Sequence, residues 1–490
     1  MEMIHNYFTN EQLTGLALVF GTAGLWSYLK RRHLPPGPMA LPIIGSVEVL
    51  KHSLNDTFHE LMSSTVKVYG PIVNISEVFG HVYIAVNDAD ECKRLLTDTT
   101  TFVRPDDFSK ATEGIMDHAL FVYPTNEVWK THRKLLQPAF GPSHLRHAAR
   151  VSVETTKELM EIWSPILSKQ DHVVVNLKEI LVCVTLDIIG KVAFGETMNA
   201  VKNATAWKEL EVMTKDIYGI RSITPKFLWG LFGVSNSAPF LVKARNAVYE
   251  KIDGFSEKRL QQIRNKDIEQ KGWQMDVLQR LLLSREQGLL TDEEIRGEMI
   301  GFFLAGHETT SNTLTFVFYE LAKNAHILDK LYEEVSNIDL DVAESSIMEV
   351  LPKQKYLDNV LREVQRLYSI VPMTDRKNTK PVNVLGYDFP PNTHFLVNFC
   401  GMHVHEKYYT LPLEFNPDRW DKPVHPNAYM PFSDGPHNCI GQKMSVIEAK
   451  IVIIKLVQNY RFEILSDKPL KIGSDITTHL KELPMKITKR

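Results

Sequence analysis

The sequence predicts a mainly α chain with small β-sheets, preceded by an N-terminal transmembrane helix. Three observations predict it. Segments with apolar residues at helical spacing dominate from 127 to 335. Runs of β character are confined to residues 39–90 and to the stretch after 380. An uncharged run rich in Leu, Ala, Val, Phe and Trp extends from Gln12 to Leu29. There is no regular βαβ alternation, which argues against a doubly wound nucleotide-binding sheet.

The balance of 44% hydrophobic and 23% charged residues is that of a globular protein, and 490 residues suit one large α-rich domain or several small ones. A net charge of -3 and a pI near 6.7 argue against a nucleic-acid binder. The four cysteines, Cys92, Cys183, Cys400 and Cys439, are too scattered for a disulfide framework. The first three sit in helical, apolar or strand-like surroundings and read as packing residues. Cys439 alone lies among glycines and a proline.

Taken in order, the Gln12–Leu29 run would form a helix of about 18 residues, just long enough for a thin hydrocarbon core. Lys30, Arg31 and Arg32 follow it, which places the remainder of the chain on the cytoplasmic side. A buried helix containing three glycines is the alternative. Pro35-Pro36-Gly37-Pro38 and Pro42 then predict a stiff spacer. This divides the chain into an anchor (1–34), a proline-rich hinge (35–42) and one domain (43–490). Short strands are expected at Ile72–Ile75 and Val82–Val86, and long helices from 127 onward.

The clearest helix spans about 292 to 323, opened by the capping box Thr291-Asp292-Glu293-Glu294. Its middle, Ala305-Gly306-His307-Glu308-Thr309-Thr310-Ser311-Asn312, places an acid and hydroxyls between apolar flanks. A buried helix needs a use or a partner for such groups, an interhelical hydrogen-bond network being the bland one. The β-like run Val382–Leu385 comes later, and a last apolar helix is expected from about 440 to 457.

Before that helix stands Phe432-Ser433-Asp434-Gly435-Pro436-His437-Asn438-Cys439-Ile440-Gly441. Each position has a use if the sulfur binds haem iron. Cys439 falls at a helix start, where amides and dipole favour a thiolate. Gly435 allows the turn that aims amides at the sulfur. Gly441 leaves room for a flat macrocycle, Phe432 shields the iron–sulfur bond, and His437 can hydrogen-bond a propionate. A Gly/Pro turn ending in a buried cysteine is the alternative.

The segment resembles the cysteine-ligand loop of the cytochrome P-450 family, Phe-x-x-Gly-x-Arg/His-x-Cys-x-Gly, in its histidine form. Other landmarks follow in the family's order. Ala305 to Thr310 resembles the oxygen-activating groove of the distal helix, with Glu308 and Thr309 as the acid–alcohol pair and Thr310 as a second hydroxyl. Glu363 and Arg366 resemble the Glu-x-x-Arg that locks the proximal side with Arg419 of Pro417-Asp418-Arg419-Trp420. Trp129 and Arg133 resemble a propionate-holding pair, and Arg376 sits where another propionate-binding cation is expected. On spacing alone, Glu-x-x-Arg recurs at Glu91 and Glu293, and Trp129 with Arg133 could be a core tryptophan beside a solvated arginine. His403 and His405 invite a zinc reading but have no further ligand cluster nearby in sequence.

The resemblance implies a haem b monooxygenase that inserts one atom of O2 into a lipophilic substrate such as a steroid, fatty acid or xenobiotic. The chain has no flavin- or nicotinamide-binding segment, so electrons would come from NADPH–cytochrome P-450 reductase, docking near Lys130, Lys134, Lys443 and Lys450. The proline hinge after an anchor resembles the microsomal branch, hence an endoplasmic reticulum membrane protein in contact with lipid and not with nucleic acid. The runner-up is a P-450-like isomerase or dehydratase that rearranges a peroxide without O2 or reductase. A haem sensor would need no acid–alcohol pair.

Overall fold

Among the described residues helix accounts for 54% and strand for 13%, a mainly helical content as the periodicity predicts. The computed structural model describes residues 33–490 except 42–44, 77–81, 108–109, 111, 205–208, 210–225, 227–228, 232–233, 268–274 and 475. The expected anchor and its basic stop lie outside the described residues. Among those described, no helix is long and apolar enough to cross a membrane.

Six helices position the site. They are α1 (Glu127–Leu136), α2 (Pro142–Leu167), α3 (Leu177–Phe194), α4 (Asp292–Lys323), α5 (Lys355–Tyr368) and α6 (Gln442–Asn459). The side chain of Asn126 caps α1 by accepting from the Trp129 amide. In α4 the capping box forms in both directions, with the Thr291 amide donating to Glu294 at 2.8 Å. Its 32 residues give a rod of roughly 48 Å. Helix α3 is apolar around most of its circumference and is buried accordingly, ending at Gly195 in the left-handed region. It packs along α4 so tightly that a Cβ on Gly306 would lie 2.5 Å from Ile189. Helix α6 starts two residues later than expected, with Gly441 as its N-cap residue.

A five-stranded sheet flanks the helices, in the order β1-β2-β5-β4-β3. Here β1 is Ile72–Ser76, β2 Val82–Val86, β3 Phe102–Val103, β4 Met373–Asn378 and β5 His394–Asn398. Arg376 pairs across the sheet with Phe395, itself opposite Ile84, so all three share the buried face. Val382–Val384 pairs with Tyr387–Phe389 as a small hairpin. A second hairpin, β6 (Ile472–Ser474) with β7 (Thr478–Leu480), lies against α4 and carries Thr477 in its turn.

Two expectations change. The proline segment does not stand off as a spacer: the Asn74 amide donates to the Pro36 carbonyl at 2.9 Å, and Gly37 seats on Asn74 where any side chain would clash. The segment is a strap laid on the sheet. Lys450 is buried, bonded to Asp358 and to the Leu351 carbonyl, and so is removed from the basic surface set.

Candidate functional site

Cys439 is the sole cysteine with an exposed side chain among the four, while Cys92, Cys183 and Cys400 are buried as expected of packing residues. The residue is exposed, yet the sulfur is set deep enough for burial to dominate its electrostatics. The loop is held from both ends. The Cys439 amide donates to the Phe432 carbonyl at 3.0 Å, and the Asn438 amide to the Gly435 carbonyl at 3.1 Å. Gly435 has φ +70°, and a Cβ there would sit 2.3 Å from the Leu96 carbonyl oxygen, so the position requires glycine. At Gly441 a Cβ would meet nothing nearer than Phe140 at 3.9 Å and the Cys439 sulfur at 4.0 Å, so the missing side chain leaves open space beside the sulfur.

Burial pushes the Cys439 thiol above its ordinary pKa, while the amides of Gly441 and Gln442 and the Arg133 guanidinium pull it down. The helix start alone therefore does not deliver a thiolate, because desolvation outweighs it. A metal cation at the sulfur would reverse that balance.

Near the sulfur three arginines converge around His437, Arg376 buried and Arg104 and Arg133 half-buried, with no carboxylate paired to them among the described residues. Arg133 donates to the Asn438 carbonyl at 2.9 Å and to its side chain at 2.8 Å. Arg376, 1% exposed, donates to the Asp375 carbonyl, but its Nε and Nη2 have no partner. The Asp375 carboxylate turns away to His394. Arg104 donates to the Phe121 carbonyl, and burial with repulsion from Arg376 and Arg133 lowers its pKa to about 9. Burial lowers Arg376 to about 10.

His437 stacks on Trp129 with ring centroids 3.8 Å apart. Burial and the three arginines hold it neutral, its pKa lowered to about 2. Its Nε2 bonds the Thr125 hydroxyl, which already accepts from the Arg104 amide and so is free to donate. The hydrogen then falls on Nδ1, a buried donor without a protein partner. Three guanidiniums and a ring donor with no carboxylate among the described residues form a cradle for two carboxylates on one ligand. Haem b has that dianionic edge, and the open space at Gly441 and the sulfur fit its flat face. Arg104 was not legible in the sequence: it precedes Pro105 in a stretch that reads as loop, and its neighbours are 29 and 272 residues away.

Helix α4 passes the other side. It is buried from Met299 to Leu304 and again from Thr310 to Leu321 except at Tyr319, whereas Ala305 is exposed and Gly306 to Thr309 are half-buried. A helix buried at both flanks opens there onto an internal space. The Thr309 hydroxyl donates to the Ala305 carbonyl at 2.8 Å, and the Glu308 carboxylate accepts from Thr477 at 2.7 Å. Thr310 is buried at 3% exposure. Phe140 ties the two sides together by stacking on Phe302 of α4 while lying nearest to Gly441.

Behind the proximal loop, Arg366 forks onto Glu363 with bonds of 2.9 and 2.8 Å, and Arg419 donates to Glu363 at 2.7 Å. Asn416 and Trp420, which sequence reasoning missed, donate to the same carboxylate. Of the other two copies, Glu91 bonds Arg94 near the surface, and Arg296 turns from Glu293 to Asp253. Both nitrogens of His403 are bonded, to Ser369 and to the Met430 amide, which leaves no ligand atom for zinc. Among the described residues one potential metal cluster appears elsewhere, at Asp107, Asp375 and His394.

The family model for cytochrome P-450 matches residues 35–487. The chain belongs to the cytochrome P-450 family. Cytochrome P-450 3A14 of Cavia porcellus is 27% identical over 93% of this chain and 91% of its own length. Cytochrome P-450 3A9 of Rattus norvegicus is 27% identical over 100% and 99%. Cytochrome P-450 4d2 of Drosophila melanogaster is 25% identical over 93% and 94%. The protein is thus a haem-thiolate monooxygenase binding haem b through a cysteine, with O2, an organic substrate and a redox partner as P-450 chemistry requires.

Proposed function

We propose that this P-450 hydroxylates a lipophilic substrate with electrons from NADPH delivered by NADPH–cytochrome P-450 reductase. The observation that carries the reading is the opening of buried helix α4 at Ala305–Thr309, where an acid and an alcohol stand together. When bound, haem b supplies the redox chemistry toward O2. Cys439 is the proximal ligand in this reading. Arg104, Arg133, Arg376 and the His437 ring hold the propionates, with Trp129 fixing the ring by stacking. Ala305 lines the distal face, Phe432 screens the sulfur, and Glu308 with Thr309 passes solvent protons inward, Thr310 being a second hydroxyl on the same turn.

A surface groove of about 500 Å³, lined by Trp129, Lys130, Arg133 and Lys134, reaches from outside to the propionate-holding helix. It supports docking of the reductase here, with Lys443 exposed in the first turn of α6, directly after the cysteine loop. Residues 12–29 anchor the chain in the endoplasmic reticulum membrane with the domain facing the cytoplasm, as the positive-inside rule directs. Substrate is lipophilic because residues expected around the distal face, such as Ile370 and Leu304, are apolar.

The test uses purified holoenzyme with reductase and a panel of lipophilic compounds, each first screened for displacement of the distal water in the haem spectrum. Thr309→Ala is expected to bind haem and substrate and to consume NADPH, with hydrogen peroxide replacing product, while Thr309→Ser keeps much of the coupling. Unchanged coupling in Thr309→Ala would move the relay elsewhere. Rapid conversion of a lipid hydroperoxide without reductase, with no reductase-driven hydroxylation of any spectrum-shifting compound, would replace this reading by the isomerase one.

A further inference from the structure

Glu308 is tied to a second element besides its own helix. It reaches across to the β6–β7 turn, where it accepts from the Thr477 hydroxyl at 2.7 Å. One turn further along α4, Asn312 donates its side-chain amide to the same hydroxyl at 3.1 Å. Glu308 and Asn312 are four residues apart, so they share one helix face and grip Thr477 together. The geometry fixes a direction. An amide NH2 can only donate, so the Thr477 oxygen accepts from Asn312 and its own hydrogen is committed to Glu308. Both Thr477 and Asn312 are buried, at 3% exposure each, and a hydrogen bond to a carboxylate in such a place is of the strong kind.

The other face of the hairpin borders a cavity of about 490 Å³, lined by Thr478, Ile472, His59, Ser63, Glu320 and Tyr368. Thr478, next to Thr477, thus lies on the cavity wall, and the polar lining suits water. His59 on that wall has a buried Nδ1 without a protein partner, and burial with the neighbouring His479 and His52 lowers its pKa to about 4, so it stays neutral.

We propose that Thr477 is a positioning residue for proton delivery, holding the Glu308 carboxyl against the β6–β7 turn in the place from which it exchanges protons. The proposal rests on the reading of Glu308 as the proton donor. Each turnover joins one oxygen atom to the substrate C–H and releases the other as water, using two electrons from NADPH and one proton from solvent beyond the one accompanying the hydride. Glu308 hands its proton toward Thr309 and regains one that comes from solvent. Glu308 is in this way the exchanging group, and Thr477 sets where the exchange occurs.

The experiment compares Thr477→Val, Thr477→Ser and Glu308→Gln holoenzymes in two assays. One is driven by NADPH, reductase and O2, and the other by cumene hydroperoxide, which brings a ready-made O–O bond and needs no delivered electrons. The probe is ethoxycoumarin, or whichever panel compound shifts the haem spectrum. Thr477→Val is expected to lower product per NADPH by roughly tenfold, a fraction of what a positioned acid contributes. Hydrogen peroxide should rise in compensation, and hydroperoxide-driven turnover should fall far less. Thr477→Ser should restore coupling, since it keeps the hydroxyl.

A readout independent of turnover is the unfolding midpoint of ferric Thr477→Val, Glu308→Ala and the double variant, where a direct bond makes the shifts non-additive. Equal losses in both assays, additive midpoints, or full coupling in Thr477→Val while Glu308→Gln uncouples would each overturn the proposal alone. Full coupling in Glu308→Gln would instead remove the acid itself, and the proposal with it.

Discussion

Glu363 has no exposed surface and receives five hydrogen bonds from Arg366, Arg419, Asn416 and Trp420. Arg366, equally buried, spends its remaining donors on the carbonyls of His403, Pro412 and Glu414. Removing one partner of such a pair strands a charge, which costs about 3–5 kcal/mol. Glu363→Ala is therefore expected to yield protein that fails to retain haem, whereas Glu91→Ala and Glu293→Ala retain it in the same purification. The Glu-x-x-Arg spacing was visible three times in the sequence, but burial, which separates the copies, depends on residues about fifty positions away. Next to the lock, His403 accepts the Met430 amide at Nε2 and is held neutral by burial and by Arg366, its pKa lowered from 6.5 to about 3. Between those values the unfolded chain binds a proton that the folded one refuses, so stability is intact above pH 6.5 and declines as pH falls toward about 3, by a few kcal/mol. Urea unfolding at a series of pH values should show this decline, and His403→Asn should flatten it.

At the level of elements, helix α4 was legible because its signals are local: the capping box at Thr291 and the apolar flanks on either side of the polar middle. The polar interruption at Ala305–Asn312 was legible too, since it separates those flanks. Its partners were not. Thr477 lies 169 residues from Glu308, in a hairpin of two three-residue strands too short to announce itself by alternation. Likewise His132 of α1 bonds Glu298 of α4 at 2.6 Å across 166 residues, joining the propionate-side helix to the distal helix. Gly306 is explained by α3, because its Cβ would fall 2.5 Å from Ile189. Overpacking of this kind costs about 1–3 kcal/mol. Gly306→Ala should lower the chemical-denaturation stability by that amount, and adding Ile189→Ala should return part of it. Additive losses in the double variant would mean that the two helices do not press on one another at this point.

On the scale of the whole molecule, the family pattern was readable because one short loop packs several constraints into ten residues, and because the other landmarks keep their order along the chain. The loop's surroundings were less so. Arg104 joins Arg133 and Arg376 only after β3 pairs with β4, through Phe102 opposite Asn378. Lys450 was grouped with the surface lysines by charge alone; α6 is packed between α2, α4 and neighbouring segments, and Asp358 takes the charge. The strap at Pro36–Gly37 belongs to the sheet, so truncation should stop before it. Removing residues 1–34 is expected to release the protein from membranes with haem binding intact. Complete membrane integration of the truncated protein would place the spanning segment elsewhere.

The identity of the haem ligand is the centre of the account, and the absorption spectrum of the reduced, carbon monoxide-bound protein tests it most directly. Wild type and the single variants Cys92→Ala, Cys183→Ala and Cys400→Ala should all show the red-shifted Soret band of thiolate-bound haem, because those three cysteines are buried packing residues. Cys439→Ala should lack it. A thiolate band that survives in Cys439→Ala, or that disappears in one of the other three with the protein still folded, would contradict the account.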